Sequence, residues 1–138
     1  MGLTRAGSNP APGIFKKLKK EAKKAAQKSY SPYSKFEVGA SVLSKNKKIY
    51  SGTNIENASY GLTICAERVA IFKGVSEGER EFITIAIYTN SSKLSYPCGA
   101  CLQVMSEFMP QDAVVIIFSE NEEKIKRLNE LIPQPFKF

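Results

Sequence analysis

The chain has 138 residues, 43% of them hydrophobic, with three cysteines, no histidine and a formal net charge of +7. This length suffices for one domain with a core, and no apolar stretch approaches the length of a membrane span. Residues 1–28 hold eight basic side chains and one acidic side chain, so this segment accounts for the whole net charge. We interpret its lysines as a solvated helix face and expect no nucleic-acid partner, because no aromatic residues that would stack on bases are interleaved with them.

The first twelve residues are rich in Gly, Pro, Ser and Asn and lack hydrophobic periodicity. We therefore predict a flexible segment over 1–12 and a single domain over 13–138. An odd number of cysteines fits a disulfide framework poorly, and no apolar signal-peptide core follows the first methionine. A reducing, cytoplasmic setting without membrane contact is expected.

Hydrophobic periodicity and turn residues predict alternating helices and strands along 13–138. The predicted elements in chain order are a helix over 13–29, a hairpin of strands over 35–43 and 48–54, a loop over 54–60, a helix from 63 or 64 to 73 that ends at Gly74, a strand over 81–88, a helix over 98–108 and a strand over 113–118. Residues 124–128 fit either a last short strand or the start of a helix, and 129–132 fit one helical turn. This alternation is typical of an α/β layer fold with parallel neighbouring strands.

All three cysteines lie in two short motifs, Cys-Ala-Glu at 65–67 and Pro-Cys-Gly-Ala-Cys at 97–101. Cys98 and Cys101 have the i, i+3 spacing that places two side chains on one helix face, and Cys65 supplies a third thiolate from elsewhere. A closed structural zinc site needs four Cys or His ligands, which these two residue types cannot provide here. Three ligands leave one position for water, as in a catalytic zinc site, and Glu67 is the nearby carboxylate that can take a proton from it.

Both cysteine motifs are predicted at helix starts, where unpaired N–H groups and the helix dipole favour thiolates. Three thiolates leave a zinc site with a charge of −1, and Arg68 can offset part of it by hydrogen bonding to a sulfur. Two alternatives stay open from the residues alone. A Cys-x-x-Cys pair is often a thiol-redox centre, and a single buried cysteine such as Cys65 is often a small core residue.

The motifs resemble those of the zinc deaminases, in the form with three cysteine ligands. The chain is most similar to the small homotetrameric cytidine deaminases, over about residues 15–136. The matching segments are YSKF at 33–36 with VGA at 38–40, GTNIENASY at 52–60, CAER at 65–68, PCGAC at 97–101 and CLQVM at 101–105. The resemblance implies a three-layer α/β fold in which helices cover both faces of a mixed sheet of about five strands.

The resemblance also implies a role for each matched position. Zinc, one ion per chain, would be held by Cys65, Cys98 and Cys101, and Glu67 would move the protons. Substrate contacts are implied for Phe36 at the base, Asn54 and Glu56 at the ribose 3′-hydroxyl, and the Ala66 N–H at the base carbonyl. Arg68 and Gln103 would support the thiolates, and Tyr60 and Phe136 would reach a neighbouring subunit's site.

The implied reaction is hydrolytic deamination of cytidine and 2′-deoxycytidine to the uridines, with release of ammonia, in pyrimidine salvage. The expected partners are a nucleoside substrate and identical subunits of a homotetramer with shared sites. One alternative is a deaminase of a modified cytosine nucleoside such as blasticidin S. Another is a thiol-redox protein, in which Cys98 and Cys101 would form a reversible disulfide.

Overall fold

The elements of the fold are described here from a computed structural model, which describes residues 13–138; the segment 1–12, for which we predict flexibility, lies outside the described residues. The helices are α1 (Ile14–Ala26), α2 (Ala66–Ser76), α3 (Gly99–Phe108) and α4 (Leu128–Leu131). The strands are β1 (Val38–Ser44), β2 (Ile49–Thr53), β3 (Phe82–Thr89), β4 (Val114–Phe118) and β5 (Glu123–Arg127), and a short 3₁₀ turn covers Tyr60–Leu62. Each element predicted from the sequence is present, and residues 124–127 of the ambiguous segment belong to strand β5, whereas Leu128 begins α4.

The five strands form one mixed sheet in the order β2-β1-β3-β4-β5. Strands β1 and β2 form the predicted antiparallel hairpin, and β1 also pairs antiparallel with β3. The expectation of parallel neighbours holds only for β3 and β4, which are joined by the crossover through α3. Elsewhere the expectation was wrong. Helix α2 carries the chain from the edge strand β2 past β1 to β3, so β2 and β3 run parallel but are separated by β1. The mixed sheet of about five strands is confirmed.

Helices cover both faces of the sheet, and each face has its own core. On β4, Val115 and Ile117 belong to the core that also contains residues of α2 and α3. Val114 and Ile116, which alternate with them, belong to the core under α1. The alternation of side chains along a strand therefore explains why this strand is apolar at every position.

Helix α1 packs closely on the central strand β1. A methyl group on Gly39 would lie 1.9 Å from the backbone oxygen of Ala22 and 2.5 Å from the backbone nitrogen of Ala26, so only glycine fits. The buried hydroxyl of Ser41 donates to the backbone oxygen of Leu18 at 2.6 Å and so pays no unpaired-polar penalty. These contacts fix α1 on the face opposite α2.

Helix α2 ends later than the sequence predicts. Gly74 lies inside the helix, and its missing side chain makes room for the ring of Phe82, whose nearest carbon would be 2.6 Å from a Cβ. The helix ends at Ser76, and Gly78, two residues further on, adopts a φ of 106°. There the N–H of Gly78 donates to Val75 O and that of Glu79 donates to Gly74 O, both at 3.0 Å, which is the Schellman pattern. The prediction that Gly74 ends the helix was wrong, because a glycine is needed at this position for close packing against Phe82 and not as a helix terminator.

Part of the lysine face of α1 is paired with the β4–β5 turn. Lys19 Nζ lies 2.6 Å from Glu123 Oε1, and Lys23 Nζ lies 2.6 Å from Glu120 Oε2. These partly exposed ion pairs place acidic groups beside the basic helix, which favours a solvated, locally balanced surface. Among the helices described for residues 13–138, none has the length and apolar character needed to cross a membrane.

Candidate metal centre and substrate cavity

The three cysteines meet where α2 and α3 begin. Cys65 and Cys98 have extended backbones and are the residues immediately before α2 and α3, respectively. Cys101 lies in the first turn of α3, fully buried, whereas the Cys98 side chain is exposed. Both helices therefore direct their unpaired N–H groups and positive dipole ends toward the sulfurs, which stabilises thiolates.

The sulfur atoms have the spacing of a metal site. All three lie within 4.8 Å of one another, with 3.9 Å between Cys65 Sγ and Cys98 Sγ and 3.6 Å between Cys98 Sγ and Cys101 Sγ. A tetrahedral zinc ion with Zn–S bonds of about 2.3 Å separates its sulfurs by about 3.8 Å. The donor set and its spacing thus fit zinc, with three protein ligands and an open corner.

The thiols of Cys65 and Cys101 differ in acidity because they share one small volume. The nearby Cys101 thiol and the Arg68 guanidinium, which donates to the Cys65 sulfur, lower the pKa of Cys65 to about 5. The pKa of Cys101 moves upward, because the Cys65 sulfur lies beside it and because Cys101 is itself buried. One thiolate thus exists before any metal arrives, and a cation is needed to draw the proton from Cys101.

Glu67 is a buried carboxyl beside the sulfurs. It lies in the first turn of α2, is only 3% exposed, and lines the same cavity as Cys65 and Cys98. Burial raises the pKa of Glu67 to about 7, with the Cys65 thiolate acting in the same direction. A carboxyl with this pKa can both accept and give up a proton near neutral pH, as a general acid–base requires.

An open cavity of about 220 Å³ extends from the sulfurs. Its walls include six residues predicted from the sequence, namely Phe36, Asn54, Cys65, Ala66, Glu67 and Cys98. The volume suits a small, flat ligand rather than a macromolecule. The cavity is formed by the start of β1, the residue that follows β2 and the starts of α2 and α3.

Asn54 holds the segment that carries Phe36. Its Nδ2 donates to the backbone oxygen of Phe36 at 2.7 Å, and its Oδ1 accepts from the N–H of Val38 at 3.1 Å and from the Ser29 hydroxyl at 2.6 Å. One hydrogen of the carboxamide remains for a ligand. Asn54 thus lines the cavity and also positions the aromatic residue next to it.

Glu56 is not among the residues that line the cavity. Its Oε1 accepts from the N–H groups of Tyr33 and Ser34 at 3.0 and 3.1 Å, and its Oε2 accepts from the Ser34 hydroxyl. The pKa of Glu56 is lowered mainly by the Ser34 hydroxyl, with the two N–H groups adding to the effect. Glu56 is therefore an ionised carboxylate anchored to the 33–34 turn, two residues after the cavity residue Asn54.

The two residues expected to support the thiolates differ in their contacts. Arg68 donates from Nη2 to Cys65 Sγ at 3.4 Å, and its buried Nε has no hydrogen-bond partner within the described chain. Gln103 instead donates from Nε2 to the backbone oxygen of Phe136 at 3.1 Å. The described geometry places Arg68 at the sulfurs and Gln103 at the C-terminal segment.

The residues expected to reach a neighbouring subunit are exposed. Tyr60 is 85% exposed in the 3₁₀ turn before Cys65, and Phe136 is 71% exposed. The C-terminal segment is held on α3 by Gln103 and by Lys137, whose Nζ donates to Ser106 O at 2.9 Å. The Phe136 ring meets only the ring of Phe138 at 6.2 Å between centroids among the ring contacts of residues 13–138, and most of the surface of both Tyr60 and Phe136 stays uncovered.

Sequence reasoning missed five residues that line the cavity, namely Val38, Thr63, Ile64, Ser95 and Tyr96. Val38 is the first residue of β1, and the other four lie in irregular segments immediately before a cysteine motif. No periodicity marks such positions, although their adjacency to Cys65 and to Pro97 was a usable signal. The segments before Cys65 and Pro97 lead the chain to the starts of α2 and α3, and residues of these segments line the cavity beside those starts.

The chain matches the family model described as "Cytidine and deoxycytidylate deaminase zinc-binding region" over residues 14–117. A cytidine deaminase of Halalkalibacterium halodurans is 46% identical over 120 residues, which cover 86% of this chain and 91% of that protein. The crystal structure of cytidine deaminase from Burkholderia pseudomallei has a TM-score of 0.83 at 38% identity, covering 88% of this chain and 98% of that one. A blasticidin-S deaminase of Bacillus cereus is 33% identical, over 72% of this chain and 76% of its own length.

The fold and the three-sulfur cavity thus define a zinc-dependent deaminase of the α/β class. The chain belongs to the cytidine and deoxycytidylate deaminase family, with its fold and its zinc-binding region. The resemblance noted from the cysteine motifs is confirmed, as are zinc as the cofactor and the class of enzyme.

Proposed function

We propose that the chain converts cytidine and 2′-deoxycytidine to uridine and 2′-deoxyuridine by hydrolytic deamination, releasing ammonia. The observation that carries this proposal is the placement of three sulfurs within 4.8 Å of one another beside a buried carboxyl, Glu67, in a cavity of about 220 Å³. A deaminating hydrolase needs activated water, a proton carrier and a site for a flat ring, and the cavity offers a place for each. Residues 13–138 would act as a single catalytic domain.

Cys65, Cys98 and Cys101 would hold one zinc ion per chain. The bound ion supplies Lewis-acid chemistry of the kind that activates water near neutral pH. Arg68 would offset part of the thiolate charge through its contact with Cys65 Sγ. The open fourth corner would lie on the side of the cavity, since Cys65 and Cys98 line it.

Glu67 would carry the protons of the reaction. As water adds to C4 of the cytosine ring, the carboxylate takes a proton from it and delivers one to N3. Glu67 then takes the proton of the new C4 hydroxyl and delivers it to the 4-amino group, which leaves as ammonia as the C4–N bond breaks and the C4 carbonyl of uridine forms. The raised pKa of Glu67, about 7 because of burial, supports both directions of transfer near neutral pH.

The substrate would be oriented by residues on both sides of the cavity. The Phe36 ring would pack on the cytosine base, and the N–H of Ala66, in the first turn of α2, would donate to the base carbonyl. Asn54 and Glu56 would hold the ribose 3′-hydroxyl. The anionic Glu56 supports free nucleosides as substrates, because a 3′-phosphate would bring a second anion against it.

A homotetramer with shared active sites is the assembly we propose. Several large apolar side chains are exposed in the single chain, among them Tyr60 and Leu62, in the turn just before the cavity residue Thr63, and Phe136 on the C-terminal segment. Such a group of exposed aromatic and aliphatic residues is typical of a surface covered by another subunit. Tyr60 and Phe136 would then complete a neighbour's site, and Gln103 would support the segment that carries Phe136.

The proposed setting is the cytoplasm, in pyrimidine salvage. Three cysteine thiols within a few ångströms of one another hold a metal only while they stay reduced, which supports a reducing compartment. Free nucleosides are the substrates of salvage reactions, and the size of the cavity suits them.

The test combines zinc content with the fall in absorbance as cytidine becomes uridine. We expect about one zinc per chain and steady conversion, with Glu67→Gln retaining zinc while losing nearly all turnover. The matched control is Glu107→Gln, an exposed carboxylate on α3, which should leave turnover unchanged. Zinc-free protein that cycles between a Cys98–Cys101 disulfide and dithiol would contradict the proposal, as would faster turnover of blasticidin S than of cytidine.

A further inference from the structure

The hydroxyl of Ser34 joins two parts of the site that the sequence treats separately. It lies within hydrogen-bonding distance of Glu56 Oε2, and it accepts from the backbone N–H of Phe36 at 3.0 Å. An N–H can only donate and an ionised carboxylate can only accept. The hydroxyl of Ser34 must therefore donate to Glu56 and accept from Phe36. We call this pair of hydrogen bonds the Ser34 bridge.

The bridge determines which oxygen of Glu56 remains free for a ligand. Oε1 already accepts two hydrogen bonds, from the N–H groups of Tyr33 and Ser34. A carboxylate oxygen has room for about two donors, so Oε1 is filled. Oε2 accepts only the Ser34 hydroxyl among the described contacts and keeps room for one more donor.

The same hydroxyl fixes the backbone that carries Phe36. Lys35, between Ser34 and Phe36, has a φ of 61°, a left-handed conformation that side chains other than glycine adopt at some cost. The N–H of Phe36 is held by Ser34 and its C=O by Asn54. Both peptide groups around Phe36 are thus bound to side chains of the substrate site.

We propose that Ser34 is a positioning residue that couples recognition of the ribose 3′-hydroxyl to placement of the aromatic residue at the base. Ser34 turns Oε2 of Glu56 so that its free acceptor site meets the 3′-hydroxyl, and at the same time it fixes the turn that presents Phe36. This inference rests on the proposed function, because it assumes that cytidine occupies the cavity. Ser34 itself is exposed and touches no predicted metal ligand.

The experiment compares cytidine with 3′-deoxycytidine in the zinc-loaded enzyme. We expect the unmodified enzyme to prefer cytidine in kcat/KM, and Ser34→Ala to reduce that preference about tenfold, mainly through a higher KM for cytidine. Ser34→Thr, which keeps the hydroxyl, should restore most of the preference. The matched control is Ser31→Ala, because the Ser31 hydroxyl contacts Ser29 and neither Glu56 nor Phe36.

Several results would overturn the proposal. A purely structural role for Ser34 would lower kcat/KM equally for both nucleosides, leaving the preference intact. Equal kcat/KM values of the unmodified enzyme for cytidine and 3′-deoxycytidine would show that the 3′-hydroxyl is not recognised, and would therefore contradict the proposed coupling whatever the variants do. Ser34→Cys gives the same comparison if the alanine variant is unstable, since a thiol donates only weakly. Failure to deaminate cytidine at all would instead refute the proposed function.

Discussion

Arg68 lies three residues after Cys65 on the first turn of α2 and donates from Nη2 to the Cys65 sulfur at 3.4 Å. The start of α2 therefore carries both a candidate zinc ligand, Cys65, and the cation, Arg68, that offsets the negative charge of its thiolate. This explains how a site with three thiolates can exist without a histidine. It also makes the charge of Arg68 part of the metal site.

Loss of this contact should weaken zinc retention. We expect Arg68→Gln to raise the zinc dissociation constant about 10- to 100-fold, because groups that hydrogen-bond to ligands contribute on that scale. Competition with a chromophoric chelator measures it. Lys73→Gln, an exposed position in the last turn of α2, is the control for removing a positive charge from this helix. Equal zinc affinity of the two variants would contradict the role of Arg68.

Zinc binding should release protons from the cysteine cluster. The Cys65 thiolate beside Cys101 raises the pKa of Cys101, whereas the pKa of Cys65 is lowered to about 5. At pH 7 the metal-free chain therefore holds a proton on Cys101 that zinc must displace. Calorimetry in buffers of different ionisation enthalpy should show at least one proton released per zinc, and an affinity that rises at least about tenfold per pH unit. Binding without proton release would show that Cys101 is not a ligand.

The buried Glu67 should make the metal-free protein less stable as the pH rises. Its folded-state pKa of about 7 lies above the ordinary value of 4.5, so the folded state favours the protonated form. The resulting penalty is absent below about pH 4.5 and complete above about pH 7. Denaturant unfolding of reduced, metal-free Glu67→Gln should thus show a gain over the unmodified chain that grows from pH 5 to pH 8. A gain that does not change with pH would contradict the burial argument.

The close contact between α1 and β1 predicts a large effect of a single methyl group. Gly39→Ala would place Cβ against the backbone of Ala22 and Ala26, where no side chain can move away. We expect a loss of about 1–3 kcal/mol in the free energy of unfolding, the usual cost of overpacking. Gly61→Ala is the control, because its added methyl would meet no atom within 4 Å. Similar stability of the two variants would contradict the packing described here.

Sequence patterns were more informative about the cysteine cluster than about the surroundings of Glu56. The three sulfurs and Glu67 belong to short motifs at helix starts, so local rules were enough to bring them together. The partners of Glu56 lie 22 and 23 residues away in the chain, and only the folded turn at Tyr33 and Ser34 reveals them. The role of Gly74 was misjudged for the same reason, since Phe82 approaches it only in the tertiary structure.

We expect X-ray absorption spectroscopy at the zinc edge of the zinc-loaded protein to show three zinc–sulfur bonds of about 2.3 Å and one lighter atom at the fourth position, which changes when a nucleoside inhibitor binds. Four protein ligands that enclose the metal, or fewer than three sulfurs around it, would contradict a catalytic zinc site with three thiolate ligands.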